Sequence, residues 1–259
     1  MRIMFTSFIV FIPTTLLIGL MFSLINIRSI SYLSTHISSV IADLIVMFYF
    51  YKRFIRLPIT EAFFLNRFTT RILIPILVTT LGLSIILSDI DNLFRLILPM
   101  PKFIQDFFLQ YFYTRQNMII KIIASVIFAP ITEELMFRGM ILHGFLGRYR
   151  QINAIILSSL LFAVLHVLPW QMIGAFVFGC FSGWILTKTH SLYPCIIAHA
   201  FANLIPRIVI LSKIEIPGFS STYAIPQNVF QPLWFDICGI LLVILGIMIL
   251  RRILSNKDI

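Results

Sequence analysis

The chain has 259 residues, 59% of them hydrophobic and only 12% charged, with a mean hydropathy of +1.00. Soluble domains average about 45–50% apolar and about 25% charged residues, so a water-soluble globular class is excluded and a polytopic membrane protein is expected. The net charge of +10 does not signal nucleic acid, because no basic–aromatic cluster stands outside the apolar runs. The lysines and arginines read as cytoplasmic-loop residues and contacts with anionic lipid.

Taken in chain order, the apolar runs predict eight spans, at about 5–27, 37–54, 71–90, 117–142, 152–168, 171–187, 192–211 and 233–250. The first follows Arg2 and is too long for a signal-peptide core, so it reads as an uncleaved span. Segment 91–116 carries Arg95, Lys102, Asp106 and Arg115 among Leu and Phe, the composition of an interfacial amphipathic helix. Segment 212–232 holds Pro217, Gly218, Pro226 and Pro232 and is expected to be a loop. Residues 1–259 are expected to form a single all-α integral membrane domain, a helical bundle around a polar cavity. With the N-terminus in the cytoplasm, twelve basic residues fall in inside loops and six in outside loops. The positive-inside rule requires that direction and places both termini in the cytoplasm.

Three polar motifs interrupt consecutive membrane segments. The first is Glu133-Glu134-x-x-x-Arg138. An acidic residue at bilayer depth costs roughly 2.5–3.5 kcal/mol and usually marks function. On a helix Glu134 and Arg138 are i,i+4 neighbours and can pair, whereas Glu133 is rotated by about 100° and faces elsewhere. That asymmetry makes Glu134 structural and Glu133 reactive. Pro130 is expected to break the backbone ladder just before the pair. The second motif is Phe162-x-x-x-His166, and the third is His199-x-x-x-Asn203. In both, the two residues share a helix face. At about 1.5 Å per residue from the cytoplasmic ends, Glu133 and His199 lie roughly 10–15 Å deep, and His166 and Asn203 roughly 15–20 Å. These depths allow the four to meet in one cavity opening toward the cytoplasm.

Other residues fit plainer roles. Cys180, Cys195 and Cys238 are small core residues, with no CxxC pair among them. Gly179-x-x-x-Gly183, one turn after Ala175, is a helix-packing pattern. Asp43 and Asp236 read as structural or interfacial, and His36, His143 and His190 as solvated residues at span ends.

At these motifs the chain resembles the CAAX protease and bacteriocin-processing (CPBP, Abi) family of intramembrane glutamic endopeptidases. Its eukaryotic relative is the type II CAAX prenyl endopeptidase. The family pattern EExxxR, FxxxH and HxxxN is met at every position, within a core of about 117–211. The resemblance implies that Glu133, with His166, holds and deprotonates a water. It assigns the oxyanion to His199 and Asn203, and leaves Glu134, Arg138 and Phe162 as support. It implies a peptide or protein substrate, lipidated or membrane-bound. The small size of the chain and the lack of a eukaryotic sorting signal point to a bacterial or archaeal inner membrane. No cofactor is expected. Glu133, His166 and His199 would also supply a catalytic zinc triad, and although no HExxH stands in the chain, the sequence leaves zinc open. Two other function classes stay open on the sequence. One is a non-catalytic immunity or scaffold protein of the same fold. The other is a proton-coupled transporter, for which no internal symmetry speaks.

Overall fold

The computed structural model describes residues 44–45, 48–49, 51–53, 57–106, 118–166, 168–219 and 229–255. The expected span 5–27 lies outside them, as do most of 37–54, His36 and Asp43. The described residues form helices and no strands. We label the helices α1 (Thr70–Ile97), α2 (118–146), α3 (Gln151–Leu165), α4 (Pro169–Thr189), α5 (Tyr193–Ser212) and α6 (Leu233–Ser255). Among the described residues α1, α4, α5 and α6 are long and apolar enough to cross a membrane. The protein is a multi-pass, all-helical membrane protein, and six of the eight expected spans appear as helices within the described residues.

The outer surface is that of a protein solvated by lipid. On α6, Leu233, Leu241 and Met248 are 74%, 58% and 64% exposed, which water would penalise and hydrocarbon does not. The opposite face of α6 carries glycines against α1. A Cβ on Gly246 would overlap Thr79 Oγ1 and stand 2.9 Å from the Pro75 carbonyl, so only glycine lets the backbones meet there. Cys238 lies on the lipid-exposed part of α6, a correction to its expected core position, while Cys195 is buried.

The bundle has two ends, each tied by hydrogen bonds. At the histidine end, Asn66 Nδ2 donates to the His190 carbonyl at 2.8 Å and Leu192 N–H donates to the Phe64 carbonyl at 2.8 Å. His143 Nδ1 stands 2.9 Å from the Ala62 carbonyl, and its ring packs on Phe64. His143 is therefore half-buried and engaged rather than solvated. At the tryptophan end, Trp170 Nε1 donates to the Leu98 carbonyl at 2.7 Å, and Asn92 Nδ2 donates to the Gly218 carbonyl at 2.8 Å.

Several boundaries differ from expectation: α2 runs to Leu146 rather than 142 and α6 to Ser255 rather than 250, and two others bear on the site. Helix α1 runs on to Ile97 instead of ending near residue 90, because Arg95 pairs with Asp91 one turn earlier and keeps both charges within the helix. Only the short turn 102–106 of the expected interfacial helix is seen, and 107–117 lies outside the described residues. Helix α3 stops at Leu165, three residues before the expected boundary. Pro169 takes the first position of α4 and holds Leu168 extended (φ −82°, ψ 118°).

Candidate active site

Helix α2 positions both glutamates, and it is not a uniform α-helix. Residues Ala124–Phe128 and Leu135–Leu142 are π-helical, wound more widely than the turns around them. The backbone ladder is interrupted at Pro130 as expected, yet the helix runs on, because it accommodates the proline by widening before it. In that wide turn Ala129 N–H donates to the Ala124 carbonyl, five residues back. The next donor in the same register would be Pro130, which has no N–H. The Ser125 carbonyl is thereby freed, and Asn203 Nδ2 of α5 donates to it at 2.8 Å.

Glu134 is fully buried and has three partners. Arg138 Nη1 donates to Oε1 at 3.0 Å, Ser182 Oγ of α4 donates to Oε2 at 2.9 Å, and His199 Nδ1 of α5 lies 2.9 Å from Oε1. An ionised carboxylate only accepts, so His199 Nδ1 carries the proton in this contact. Arg138, itself buried, spends Nη2 on the Gly179 carbonyl at 3.3 Å and stacks its guanidinium 4.5 Å above the Phe162 ring. One salt bridge thus ties three helices together.

Glu133 is placed differently. Its side chain is 34% exposed, and Oε2 lies 3.8 Å from His199 Nε2, beyond hydrogen-bond range. The His199 ring therefore stands between the two glutamates, one on each nitrogen. Phe162 packs edge-on against both His166 and His199, with centroids 4.7 and 5.7 Å away. His166 caps α3, and its Nδ1 lies 2.9 Å from the Phe162 carbonyl. A carbonyl only accepts, so Nδ1 holds the hydrogen and the neutral ring keeps its lone pair on Nε2.

His166, His199 and Asn203 line one cavity of about 300 Å³ between α1, α3, α4 and α5. Glu133 is not in its wall and reaches it through His199. Among the described residues no group of three or more His, Cys, Asp or Glu side chains forms a metal-binding arrangement. Glu133, His166 and His199 are thus not a ready three-ligand set. The cavity does not extend toward the histidine end, where an opening to the cytoplasm was expected. Its wall on α1 runs from Thr80 to Arg95, and on α5 from His199 to Ile210, toward the tryptophan end. Residues outside the three motifs complete the site. Ser182 and Gly179 hold Glu134 and Arg138, and Gly179 also packs where the GxxxG pattern predicts, its missing Cβ facing Ser159. Thr80, Ser84, Ser88, Asp91 and Arg95 line the cavity from one stripe of α1. Their spacing of three and four residues was a readable signal.

No curated protein matches this chain, and no solved structure does. One family does: residues 115–205 match the description Rce1-like, type II CAAX prenyl endopeptidase Rce1-like. The stretch contains every motif residue from Glu133 to Asn203. The match extends the resemblance carried by three short motifs over the whole of that core, residues 115–205.

Proposed function

We propose that this chain is an intramembrane endopeptidase in which Glu133 activates a water to cleave a peptide bond. The observation that carries this reading is the His199 ring, set between Glu133 and Glu134 and lining one cavity with His166 and Asn203. In the proposed reaction Glu133 accepts a proton from a water that also donates to His166 Nε2. The hydroxide attacks the scissile carbonyl carbon, and the C=O electrons move onto oxygen. Asn203 has one Nδ2 proton on Ser125 and one left for that oxyanion, and His199, its Nδ1–H held by Glu134, donates to it from Nε2 as the imidazolium. Glu133 then returns its proton to the leaving amine, and the C–N bond breaks. Glu134 takes no proton, because its oxygens are occupied by Arg138, Ser182 and His199. Its part, with Arg138 and Phe162, is to fix the His199 ring.

We also place both termini in the cytoplasm, on the twelve-to-six charge asymmetry. The substrate class is a membrane-associated peptide or protein segment.

The test is cleavage of a peptide panel by purified protein in detergent, for wild type, Glu133→Gln and Glu134→Gln, with and without a zinc chelator. Wild type is expected to cleave with or without chelator. Glu133→Gln is expected to lose about 10²–10⁴-fold in rate with its thermal unfolding unchanged. Cleavage by Glu133→Gln at the wild-type rate would remove Glu133 as the base. Activity lost to chelator and restored by zinc would replace this mechanism with a metal-dependent one.

A further inference from the structure

We infer that the cavity opens to the face of the membrane opposite the basic loops, so that the site receives a peptide from the non-cytoplasmic side. This rests on the protease reading for the nature of the ligand, but not for the direction of access. Two independent observations carry it.

The first is the direction of the cavity. Its lining on α1 starts at Thr80 and runs to Arg95, on α3 it lies in the last turn, on α4 in the first turns, and on α5 from His199 onward. Leu168, Trp170 and Phe219, from the tryptophan end, close the set. No residue of Tyr193–Ala198, of 143–150 or of α6 takes part. From His199 to Ile210 the wall measures about 16 Å along α5 at 1.5 Å per residue. Its α1 side becomes more hydrophilic along the way, from Thr80 and Ser84 to Ser88, Asp91 and Arg95. Such a stripe lets water follow a peptide in. Open space adjoins Gly174, where a Cβ would meet no atom within 4 Å.

The second is charge. The histidine end exposes Arg67, Arg71, Arg148, Arg150, Lys188, Arg251 and Arg252. The tryptophan end exposes Lys102 and Lys213, beside Asp106 and Glu215. Basic residues near span ends mark the cytoplasmic face. The histidine end is therefore cytoplasmic, and the cavity runs away from it. A substrate fitting this geometry is an exported peptide or an outward-facing juxtamembrane segment, not a cytosolic tail.

Single-cysteine additions test this without any cleavage assay, so a failed protease reading and a failed access reading stay distinct. Gly174→Cys and Ser84→Cys report the cavity, Ile214→Cys the tryptophan end, and Gly147→Cys and Tyr149→Cys the histidine end. The wild type, with its three native cysteines, sets the background. A membrane-impermeant maleimide is added to intact spheroplasts and, separately, after detergent permeabilisation. The expected result is full labelling of Gly174→Cys, Ser84→Cys and Ile214→Cys in intact spheroplasts, with Gly147→Cys and Tyr149→Cys labelled only after permeabilisation. Cavity cysteines that label only after permeabilisation would overturn the inference. So would cavity cysteines silent under both conditions, or histidine-end cysteines that label from outside. The paired positions keep the result readable if one variant fails to insert.

Discussion

Glu133 and Glu134 are neighbours in the chain, yet they belong to two different regions. Around Glu134, three helices close a dry knot in which carboxylate, guanidinium, hydroxyl and imidazole hydrogen-bond one another. Around Glu133 and the cavity, side chains keep unused capacity: a carboxylate one-third exposed, the Nε2 of His166, the second Nδ2 proton of Asn203. Fully matched polar groups hold geometry, and partly matched ones are available to a substrate. The difference between the two acids is therefore one of partners, not of residue type.

The largest expected effect tests the knot. Arg138→Ala leaves a buried carboxylate unpaired and should cost about 3–5 kcal/mol of stability, seen as a lower Tm in detergent. Glu133→Gln should move Tm by less than about 0.5 kcal/mol equivalent. Equal destabilisation by the two variants would erase the distinction. Asn203→Ala should slow cleavage about 10²–10³-fold, the loss typical of one oxyanion donor, with little change in KM. A purely structural Asn203 would lower Tm and leave the rate of folded protein intact. Ser182→Ala removes one of the three Glu134 partners and should cost about 0.6–1.7 kcal/mol, the range for hydrogen bonds between membrane helices. Phe162→Leu gives up the guanidinium stack and both imidazole edges. It should cost about 0.5–2 kcal/mol of stability.

The sequence made the knot half legible. Spacing along one helix fixes an angle, so the Glu134–Arg138 pair and the divergence of Glu133 could be read from three residues. Spacing says nothing of register between helices, so Ser182 and the His199–Glu134 contact could not. His199 was expected to face the oxyanion alone, and it proves also to brace Glu134. The α1 stripe was legible and went unread, because its members are ordinary hydroxyls until Asp91. The wide turn before Pro130 was not legible, since a proline in a helix permits a kink, a break or a π-turn alike. The family match covers 115–205, which is why the cavity wall supplied by α1 lies beyond what that match describes.

The wide turn also sets the phase of everything after it. A π-turn holds one residue more than an α-turn would, so it rotates the downstream helix by about 100° relative to an uninterrupted α-helix. Asn203 is anchored on a main-chain oxygen of that turn, which no side-chain replacement at position 125 removes. Deleting a single residue within 124–128 would withdraw that oxygen and turn Glu134 out of register with Ser182 and His199. The spacing of this candidate site is thus stored as a count of residues in a five-residue stretch that carries no acid, base or imidazole.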